Sequence, residues 1–353
     1  MATLTEISII SRRTIRYGIY AVIIIVIARY AFGFGKNIYK KLFPPKPAPP
    51  TVLFGKLPAL PFPGRPESKF NYTLELAEGS LPIFPELIEV YASIPEPKTN
   101  LGVQDKARAK AQNLGFNPNG KLLFDTLPNV YVFSKNGAPA NLTMNIVTDL
   151  FSISYNLNED ASIFKGMPPD ANAAIGQAKN FLSSGGFLTE DLKNGIATHT
   201  YLKMESGEFK PAISLSEANV TKVNLFRKPY GKESNIPPVT PEMPESNVWF
   251  IIAGGHGRQI IACEYHYFAL DAGKFATYPI KTAEAALEEL KTGKAFIANS
   301  GDNPDGNIII RKVYLAYYDA GQYAEYYQPV IVFEGDNNFF AYTPAVTSEY
   351  YPK

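Results

Sequence analysis

The stretch TKVNLFRKPYGKESNIPPV, residues 221–239, returns in altered form as RKVYLAYYDAGQYAEYYQPV, residues 311–330. Both contain Lys-Val-x-Leu and end in a Pro-Val pair, and each is followed by an apolar run, a glycine-containing turn and a second run. A helical pattern precedes each copy. Such internal repetition predicts two copies of one unit, a helix followed by an antiparallel meander.

Three segments have the spacing and the end signals of amphipathic helices. They are residues 103–115, 170–182 and 281–293, and a glycine closes or follows each one. Asp170 and Thr282 stand where an N-cap side chain can accept a hydrogen bond from the first turn. The apolar stripe of the third segment, which predicts its buried face, consists of Ala283, Ala286, Leu287 and Leu290.

An apolar segment near the start of the chain, YGIYAVIIIVIARYAFGFGK at residues 17–36, predicts a transmembrane helix over residues 15–34. A helix of about 20 residues rises about 30 Å, which matches the hydrocarbon core of a bilayer. Arg29 interrupts the apolar run, but it lies near the end, where its side chain can reach the headgroups. A buried core helix and a cleaved signal peptide are the alternatives, and no small-residue cleavage site follows. The residues expected to anchor this helix in the lipid bilayer are Tyr17, Tyr20, Arg29 and Tyr30.

Basic residues flank the apolar segment on both sides, so their balance does not fix its orientation. A short N-terminal tail most simply stays in the cytoplasm, which predicts a single-pass protein of a bacterial cell membrane with an extracytoplasmic bulk. Residues 44–66 then contain nine prolines, which disfavour a helix and favour polyproline II structure. We interpret this stretch as a spacer, and a proline-rich ligand for a recognition module is the alternative.

The fold class predicted from these features is α+β, with an N-terminal transmembrane helix, a Pro-rich linker and tandem helix-plus-antiparallel-meander modules. Alternating apolar runs separated by turn residues support the strands, and Asn136-Gly137 is typical of a hairpin turn. Residues 103–156 are a candidate third copy of the unit. The expected boundaries are 1–14 for a cytoplasmic tail, 15–34 for the transmembrane helix, 35–66 for the linker, 67–160 for an N-terminal α+β module, 161–275 for a middle module and 276–353 for a C-terminal module.

The C-terminal module also resembles a known family. YPIKTAEAALEELKTGKAFI, IIIRKVYLAYYD and YYQPVIVFEGDNNFFAYTPAV, which fall within residues 276–346, resemble the C-terminal module of YycH/YycI-type regulators, a relative of PepSY domains. The resemblance implies a bacterial membrane-anchored extracytoplasmic protein, with a helix packed on a curved antiparallel sheet. It also implies regulation through contacts with a membrane or envelope protein partner, a sensor kinase, without catalysis. Residues 67–160 have no counterpart in that pattern.

Charge and reactive side chains argue against several classes of function. Lys and Arg number 34 against 33 Asp and Glu, a net charge of +1, and no basic stripe indicates nucleic acid. Cys263 is the single cysteine, which excludes an intrachain disulfide, and alternation in its strand predicts a small core residue. His256 and His266 lack the spacing of a zinc pair, and GGHG at residues 254–257 is typical of a hairpin turn. We therefore expect a non-enzyme without a cofactor or metal site.

A cluster of tyrosines, YLAYYDAGQYAEYY at residues 314–327, is the strongest candidate for a contact surface. Tyrosine offers rigid amphipathic area for docking a partner or stacking on a sugar, although strand packing explains many such residues. We expect a non-catalytic, regulatory or envelope-assembly protein that acts through protein–protein contacts. Binding of a cell-wall glycan or peptide is the alternative, and an enzyme would need His256, His266 and a carboxylate to converge. The candidate contact residues are Tyr318, Tyr323, Tyr326 and Tyr327.

Overall fold

A computed structural model describes residues 16–18, 20, 22–30, 32, 34, 49–64, 70–100, 102–232, 235–255, 257 and 259–352 of the 353-residue chain. The chain separates into two compact units, Met1–Pro49 and Pro50–Lys353.

In the first unit, the described residues between Arg16 and Phe34 are helical and their side chains are exposed. Among the described residues, no helix is both long and apolar enough to cross a membrane. The predicted transmembrane helix over 15–34 is therefore wrong, and the single-pass bacterial membrane location and extracytoplasmic placement lose their basis. The physical reason is that the uninterrupted apolar run, 17–28, would rise only about 18 Å as a helix, against about 30 Å of hydrocarbon. The expected cytoplasmic tail, 1–14, lies outside the described residues.

In the part of the chain that the structure describes, the second unit consists of eighteen strands and four helices, with three short 3₁₀ turns. The strands are β1 Asn71–Leu74, β2 Leu87–Ser93, β3 Lys121–Leu122, β4 Val130–Ser134, β5 Ala140–Asn145, β6 Phe151–Tyr155, β7 Ala197–Glu205, β8 Glu208–Pro211, β9 Val220–Leu225, β10 Pro238–Val239, β11 Val248–Ala253, β12 Ile260–Tyr265, β13 Leu270–Pro279, β14 Phe296–Asn299, β15 Asn307–Tyr318, β16 Tyr326–Tyr327, β17 Pro329–Gly335 and β18 Phe340–Pro344. The helices are α1 Val103–Asn113, α2 Ala171–Gly185, α3 Glu190–Lys193 and α4 Ala283–Lys291, and the 3₁₀ turns are Ala161–Phe164, Asp336–Asn338 and Ser348–Tyr350.

Two helix starts follow the predicted caps. The Asp170 carboxylate accepts a hydrogen bond from the Ala173 N–H at 3.0 Å, and the Thr282 hydroxyl accepts one from the Ala285 N–H at 3.3 Å. Gly186 ends α2 in the left-handed conformation, with φ 75°, which glycine adopts without a steric cost. These bonds satisfy N–H groups that a first helical turn leaves unpaired, so the caps at Asp170 and Thr282 are confirmed.

The largest sheet contains nine antiparallel strands in the order β3-β4-β5-β6-β12-β11-β9-β7-β8. β6 pairs with β12, so the strands that follow α1 and those that follow α2 form one continuous sheet. α1 and α2 bury alanines at i, i+4 spacing, which places each set on one stripe of its helix against the core. Cys263 lies in this core and is fully buried, as predicted. The buried alanines of the two helices are Ala107, Ala111, Ala174 and Ala178.

A six-stranded sheet has the order β1-β15-β17-β18-β14, with β10 beside the end of β15. β15, β17 and β18 form an antiparallel meander, whereas β1 and β10 run parallel to β15. α4 contributes its predicted stripe to the core of this sheet, and that stripe is buried. β14 pairs with β18, whereas β7, the corresponding strand of the large sheet, pairs with β9. Each copy of the repeat therefore contains its own meander of three strands, β9-β11-β12 in one and β15-β17-β18 in the other. The copies differ in which strand of the meander pairs with the strand that precedes it.

A third sheet, β13-β2-β16, completes the unit, and the proline-rich segment packs on it and on the six-stranded sheet. Leu57 is fully buried and Leu60 nearly so, and the Leu57 N–H donates to the Tyr350 carbonyl at 2.7 Å. The described residues 50–64 are thus part of the fold, and the spacer interpretation is wrong for them. Proline keeps this backbone extended, which leaves the leucines between the prolines free to enter the core.

The fold class therefore differs from the predicted α+β arrangement of membrane helix, linker and tandem modules. Strands dominate the described residues, and two of the expected helix-plus-strand segments share one sheet. Pairing of Ser154 with Ala262 makes this connection between distant parts of the chain. No pattern within either strand specifies such a partner, because alternation fixes the buried face and not the neighbour.

We expect Phe250→Ala to lower the free energy of unfolding by about 3–5 kcal/mol, because it leaves a cavity in the main core. Phe250 is fully buried and contacts the Phe181 ring edge to face at 6.0 Å between centroids. Ile83 is 99% exposed, so Ile83→Ala is the matched control and should change stability by less than about 0.5 kcal/mol. Urea unfolding followed by tryptophan fluorescence measures both variants. Equal effects of the two substitutions would contradict the core assignment.

Candidate functional site at the junction of the sheets

Arg227 lies two residues after the end of β9 and is the largest fully buried side chain in the described residues, at 2% exposure. Its guanidinium donates from Nε to Asp319 Oδ2 at 2.8 Å, from Nη1 to Asp191 Oδ2 at 2.9 Å and from Nη2 to the Phe268 carbonyl at 2.5 Å. Asp191 lies in α3, Asp319 follows β15 and Phe268 lies between β12 and β13. One buried cation therefore joins three segments that are far apart in sequence.

Asp191 is held in place by its own neighbours. The Thr189 hydroxyl donates to Asp191 Oδ1 at 2.6 Å, and the Tyr267 hydroxyl donates to the same oxygen at 2.8 Å. The end of α3 lies close to the backbone just before Arg227, since a Cβ atom on Gly195 would meet the Phe226 carbonyl oxygen at 1.8 Å. Glycine at 195 is thus required for this approach.

Charge pairing sets the ionisation of the junction. Burial alone would lower the pKa of Arg227, but the Asp319 and Asp191 carboxylates outweigh it and hold the pKa well above its usual value. Burial alone would raise the pKa of Asp191, yet the Arg227 charge and the hydrogen bonds from Thr189 and Tyr267 leave it below its usual value. Arg227, Asp191 and Asp319 together carry a net charge of −1. The contribution of Asp191 to stability is therefore present at neutral pH and lost as pH falls through its folded pKa.

Aromatic rings surround this ionic centre. The Arg227 guanidinium lies 4.1 Å from the centroid of the Tyr267 ring and 5.8 Å from that of Tyr327. The Tyr327 ring stacks on Tyr317 at 4.9 Å. Burial raises the pKa of Tyr267 to about 12 and also raises that of Tyr327, so both phenols are neutral at physiological pH. Such cation–π contacts stabilise a desolvated guanidinium.

A small cleft, the junction cleft, opens beside Arg227 and encloses about 20 Å³, room for one or two water molecules. The Tyr327 hydroxyl is buried and has no hydrogen-bond partner among the described residues. The lining residues are Ser93, Arg227, Phe268, Leu270, Tyr318, Asp319, Ala320, Gln322, Ala324, Tyr326 and Tyr327.

The predicted tyrosine contacts converge on this cleft. Tyr318, Tyr326 and Tyr327 line it, and the Tyr323 ring lies against that of Phe268 at 6.0 Å. Tyr318 and Tyr327 are buried. This differs from the sequence analysis, which expected both side chains to lie on a contact surface. Sequence reasoning missed Arg227 and its two carboxylates, although Arg227 lies inside the repeated stretch.

The residues predicted to anchor a membrane helix do not belong to this site. Their side chains are exposed on the helical residues of the first unit, and the anchoring role has no membrane-crossing helix among the described residues to support it. They are Tyr17, Tyr20, Arg29 and Tyr30.

Two of the predicted reactive side chains are described, and they are not brought together. His266 Nε2 lies 2.9 Å from Glu264 Oε2, and its ring also hydrogen-bonds to the backbone of Gly321, at the start of the tyrosine segment. Cys263 is enclosed in the core, and burial raises the pKa of its thiol well above the usual value. His256 lies outside the described residues. The described residues also contain no group of three His, Cys, Asp or Glu side chains able to hold a metal ion.

A second surface is formed by the outer side of β7. β8 pairs only with Leu202–Glu205, so in the described structure no strand pairs with Ala197–Thr200 on that side. Thr198, His199 and Thr200 are exposed there. We refer to Ala197–Thr200 as the open edge.

Comparisons with known proteins define no family for this chain. No family model and no curated protein matches it. A solved structure of an uncharacterized protein from Eubacterium rectale ATCC 33656 is similar over 76% of this chain and 86% of its own, with 14% sequence identity and a TM-score of 0.36.

We expect Arg227→Ala to lower the free energy of unfolding by about 3–5 kcal/mol, because it leaves two carboxylates without their buried partner. Arg311 provides the control. It also pairs with two carboxylates, Glu75 and Asp336, but is 43% exposed, so Arg311→Ala should lower the free energy of unfolding far less than Arg227→Ala does. Urea unfolding compares the two, and a cost for Arg227→Ala no larger than that for Arg311→Ala would contradict the structural role of the junction.

We expect the pKa of His266 to lie above its usual value in the folded protein. The hydrogen bond to Glu264 is the largest cause, and it outweighs partial burial. Stabilisation by the charged ring is therefore complete below the unfolded pKa and disappears as pH rises through the folded one. NMR titration of the ring should show a lower pKa in Glu264→Gln. An unchanged pKa in that variant would refute the assigned cause.

Proposed function

We propose that this chain is a non-catalytic binding protein that acts through protein–protein contacts, and that the open edge of β7 receives an extended segment of its partner as an added strand. The observation that carries the proposal is the open edge itself. Backbone N–H and C=O groups of Ala197 and His199 point away from β9, and no strand among the described residues pairs with them.

Hydrogen-bond alternation identifies the outward groups. The Phe226 N–H donates to the Ile196 carbonyl at 2.8 Å, and β7 then pairs with β9 residue by residue without a register shift. In an antiparallel pair, residues bonded to the neighbour alternate with residues whose N–H and C=O point the other way. The Tyr201 carbonyl points outward, since it accepts from the Ala212 N–H at 2.8 Å. Ala197 and His199 therefore direct their backbone groups to the same side.

The open edge also lacks the features that usually protect an edge. In native proteins, lysine, proline, bulges or very short strands at a sheet edge prevent that edge from pairing with another chain. β8 carries Lys210 and ends in Pro211, and the opposite edge strand β3 has two residues. The open edge contains no lysine, proline or bulge, and two exposed isoleucines flank it, Ile196 at 46% and Ile213 at 95%.

These properties define the partner chemically. Outward N–H and C=O groups at alternate positions fit an extended backbone, and flanking isoleucines fit apolar side chains at its ends. A sensor kinase or other protein partner of the kind the family resemblance implies would supply such a segment from a loop or a terminus.

Glycan binding by the tyrosine segment has less support. The Tyr326 ring stacks on Phe54 at 4.7 Å, Tyr318 meets Phe62 at 4.8 Å, and the Tyr327 face is taken by Tyr317. Since stacking on a sugar needs a free ring face, these rings are poorly placed for it.

The test uses peptides selected from a random display library against the folded protein. His199→Pro removes the outward N–H without touching the bonds to β9, because proline is tolerated where the N–H faces solvent. We expect binding of the selected peptides to fall at least tenfold in His199→Pro, the loss of about one backbone hydrogen bond. His199→Ala keeps the N–H and should bind within threefold of the wild type.

Circular dichroism and thermal unfolding establish that both variants are folded. Selected peptides that bind His199→Pro and His199→Ala equally well, or a library that yields no binder, would refute the proposal.

A further inference from the structure

We propose that Asn136 is a site of self-modification, where the side chain loses its amide through a cyclic imide formed with Gly137 and becomes aspartate or isoaspartate. The site lies in the turn between β4 and β5, on the opposite half of the large sheet from β7. It does not depend on the function proposed for the open edge.

An Asn-Gly pair carries both reacting atoms of this conversion in consecutive residues. The glycine backbone nitrogen attacks Cγ of the asparagine, a new C–N bond closes a five-membered imide, and the Cγ–Nδ2 bond breaks. Ammonia leaves with the proton that the glycine nitrogen gives up. Water then opens the imide at either carbonyl, which yields aspartate or isoaspartate, and no oxidant or reductant takes part. Glycine favours the attack because it has no side chain to hinder rotation of its nitrogen toward Cγ.

The chain contains three Asn-Gly pairs, and the pair at the end of α3 is held by hydrogen bonds. The Gly195 N–H donates to the Leu192 carbonyl at 3.3 Å. The Asn194 side-chain amide donates to Glu190 Oε1 at 2.6 Å. Both the attacking nitrogen and the leaving group are therefore engaged, which opposes the rotation that the attack requires.

The pair before β3 is held by packing. A Cβ atom on Gly120 would lie 2.4 Å from a ring carbon of Phe133, and that ring is 1% exposed. Because the core around such a ring is close-packed, the backbone at Gly120 has little freedom to turn its nitrogen toward the side chain of Asn119.

The pair in the β4–β5 turn has neither restraint. Asn136 and Gly137 are both exposed, and the Gly137 N–H has no hydrogen-bond partner among the described residues. No atom lies within 4 Å of a Cβ atom built on Gly137. Asn117 Nδ2 lies 3.5 Å from Asn136 Oδ1, where a donor stabilises the negative charge that develops on this oxygen during the attack.

The strands on either side keep this freedom local. The Lys135 N–H donates to the Ala140 carbonyl at 2.8 Å, which closes the hairpin at its first residue pair. Residues 136–139 can therefore rotate while β4 and β5 stay paired. Of the three pairs, the structure leaves Asn136-Gly137 the most reactive.

The experiment incubates the full chain at mildly basic pH, folded in buffer and unfolded in guanidinium chloride, and follows the three pairs by peptide mass spectrometry. Loss of the amide raises a peptide's mass by about one mass unit, and an isoaspartate methyltransferase labels the isomerised product. In the folded protein we expect conversion of Asn136 at least fivefold faster than that of Asn119 and Asn194. In guanidinium chloride the three rates should agree within threefold, because only the shared Asn-Gly sequence then acts.

Asn136→Gln lengthens the side chain by one methylene, which disfavours ring closure, and should remove most of the product formed by the folded protein. Asn119→Gln is the matched control and should form as much product as the wild type, within twofold. Circular dichroism establishes that both variants are folded.

His199→Pro should be converted at the wild-type rate, which separates this site from the open edge. The proposal is overturned if Asn136 stays intact in the folded protein, if Asn119 or Asn194 is converted there as fast as Asn136, or if Asn136→Gln forms as much product as the wild type.

Discussion

The burial of Arg227 is the constraint on which the arrangement of the second unit depends. A guanidinium at 2% exposure is tolerated only when its charge and its N–H groups are matched, and the matching groups come from α3, from the end of β15 and from the connection between β12 and β13. We interpret the ion cluster as a device for specificity, since any arrangement that moves one acceptor away leaves a buried charge unpaired. The large sheet and the six-stranded sheet meet where these requirements are satisfied.

The proline-rich segment packs against the tyrosine segment that lies next to the same junction. Phe54 and Phe62 occupy faces and edges of the tyrosine rings, and the Pro58 and Pro61 carbonyls accept hydrogen bonds from Gln328 and Gln322. The tyrosines that the sequence suggested for a contact surface are therefore used in packing. The only opening that Tyr318, Tyr326 and Tyr327 line among the pockets described above is the narrow junction cleft. The open edge of β7 depends on the large sheet alone, so the two candidate sites are physically separate.

Local patterns predicted local features well. Caps at Asp170 and Thr282, the buried stripe of α4 and the burial of Cys263 all follow from groups within a few residues of one another, or from alternation along one strand. The transmembrane prediction failed because the whole span 15–34 was counted toward the length that a bilayer requires, whereas the uninterrupted apolar run covers only 17–28. The spacer prediction failed because proline content describes backbone conformation and not whether the intervening side chains find a core.

By itself, the sequence determined which segments become helices and strands, where two of the helices begin, and which side of a strand is buried, since these depend on near neighbours. The tertiary structure alone decided that β6 pairs with β12, that β7 keeps an open side, and that Arg227 meets Asp191 and Asp319. Those outcomes join residues that are distant along the chain. Their energy depends on desolvation and hydrogen-bond geometry, which exist only once the sheets have come together.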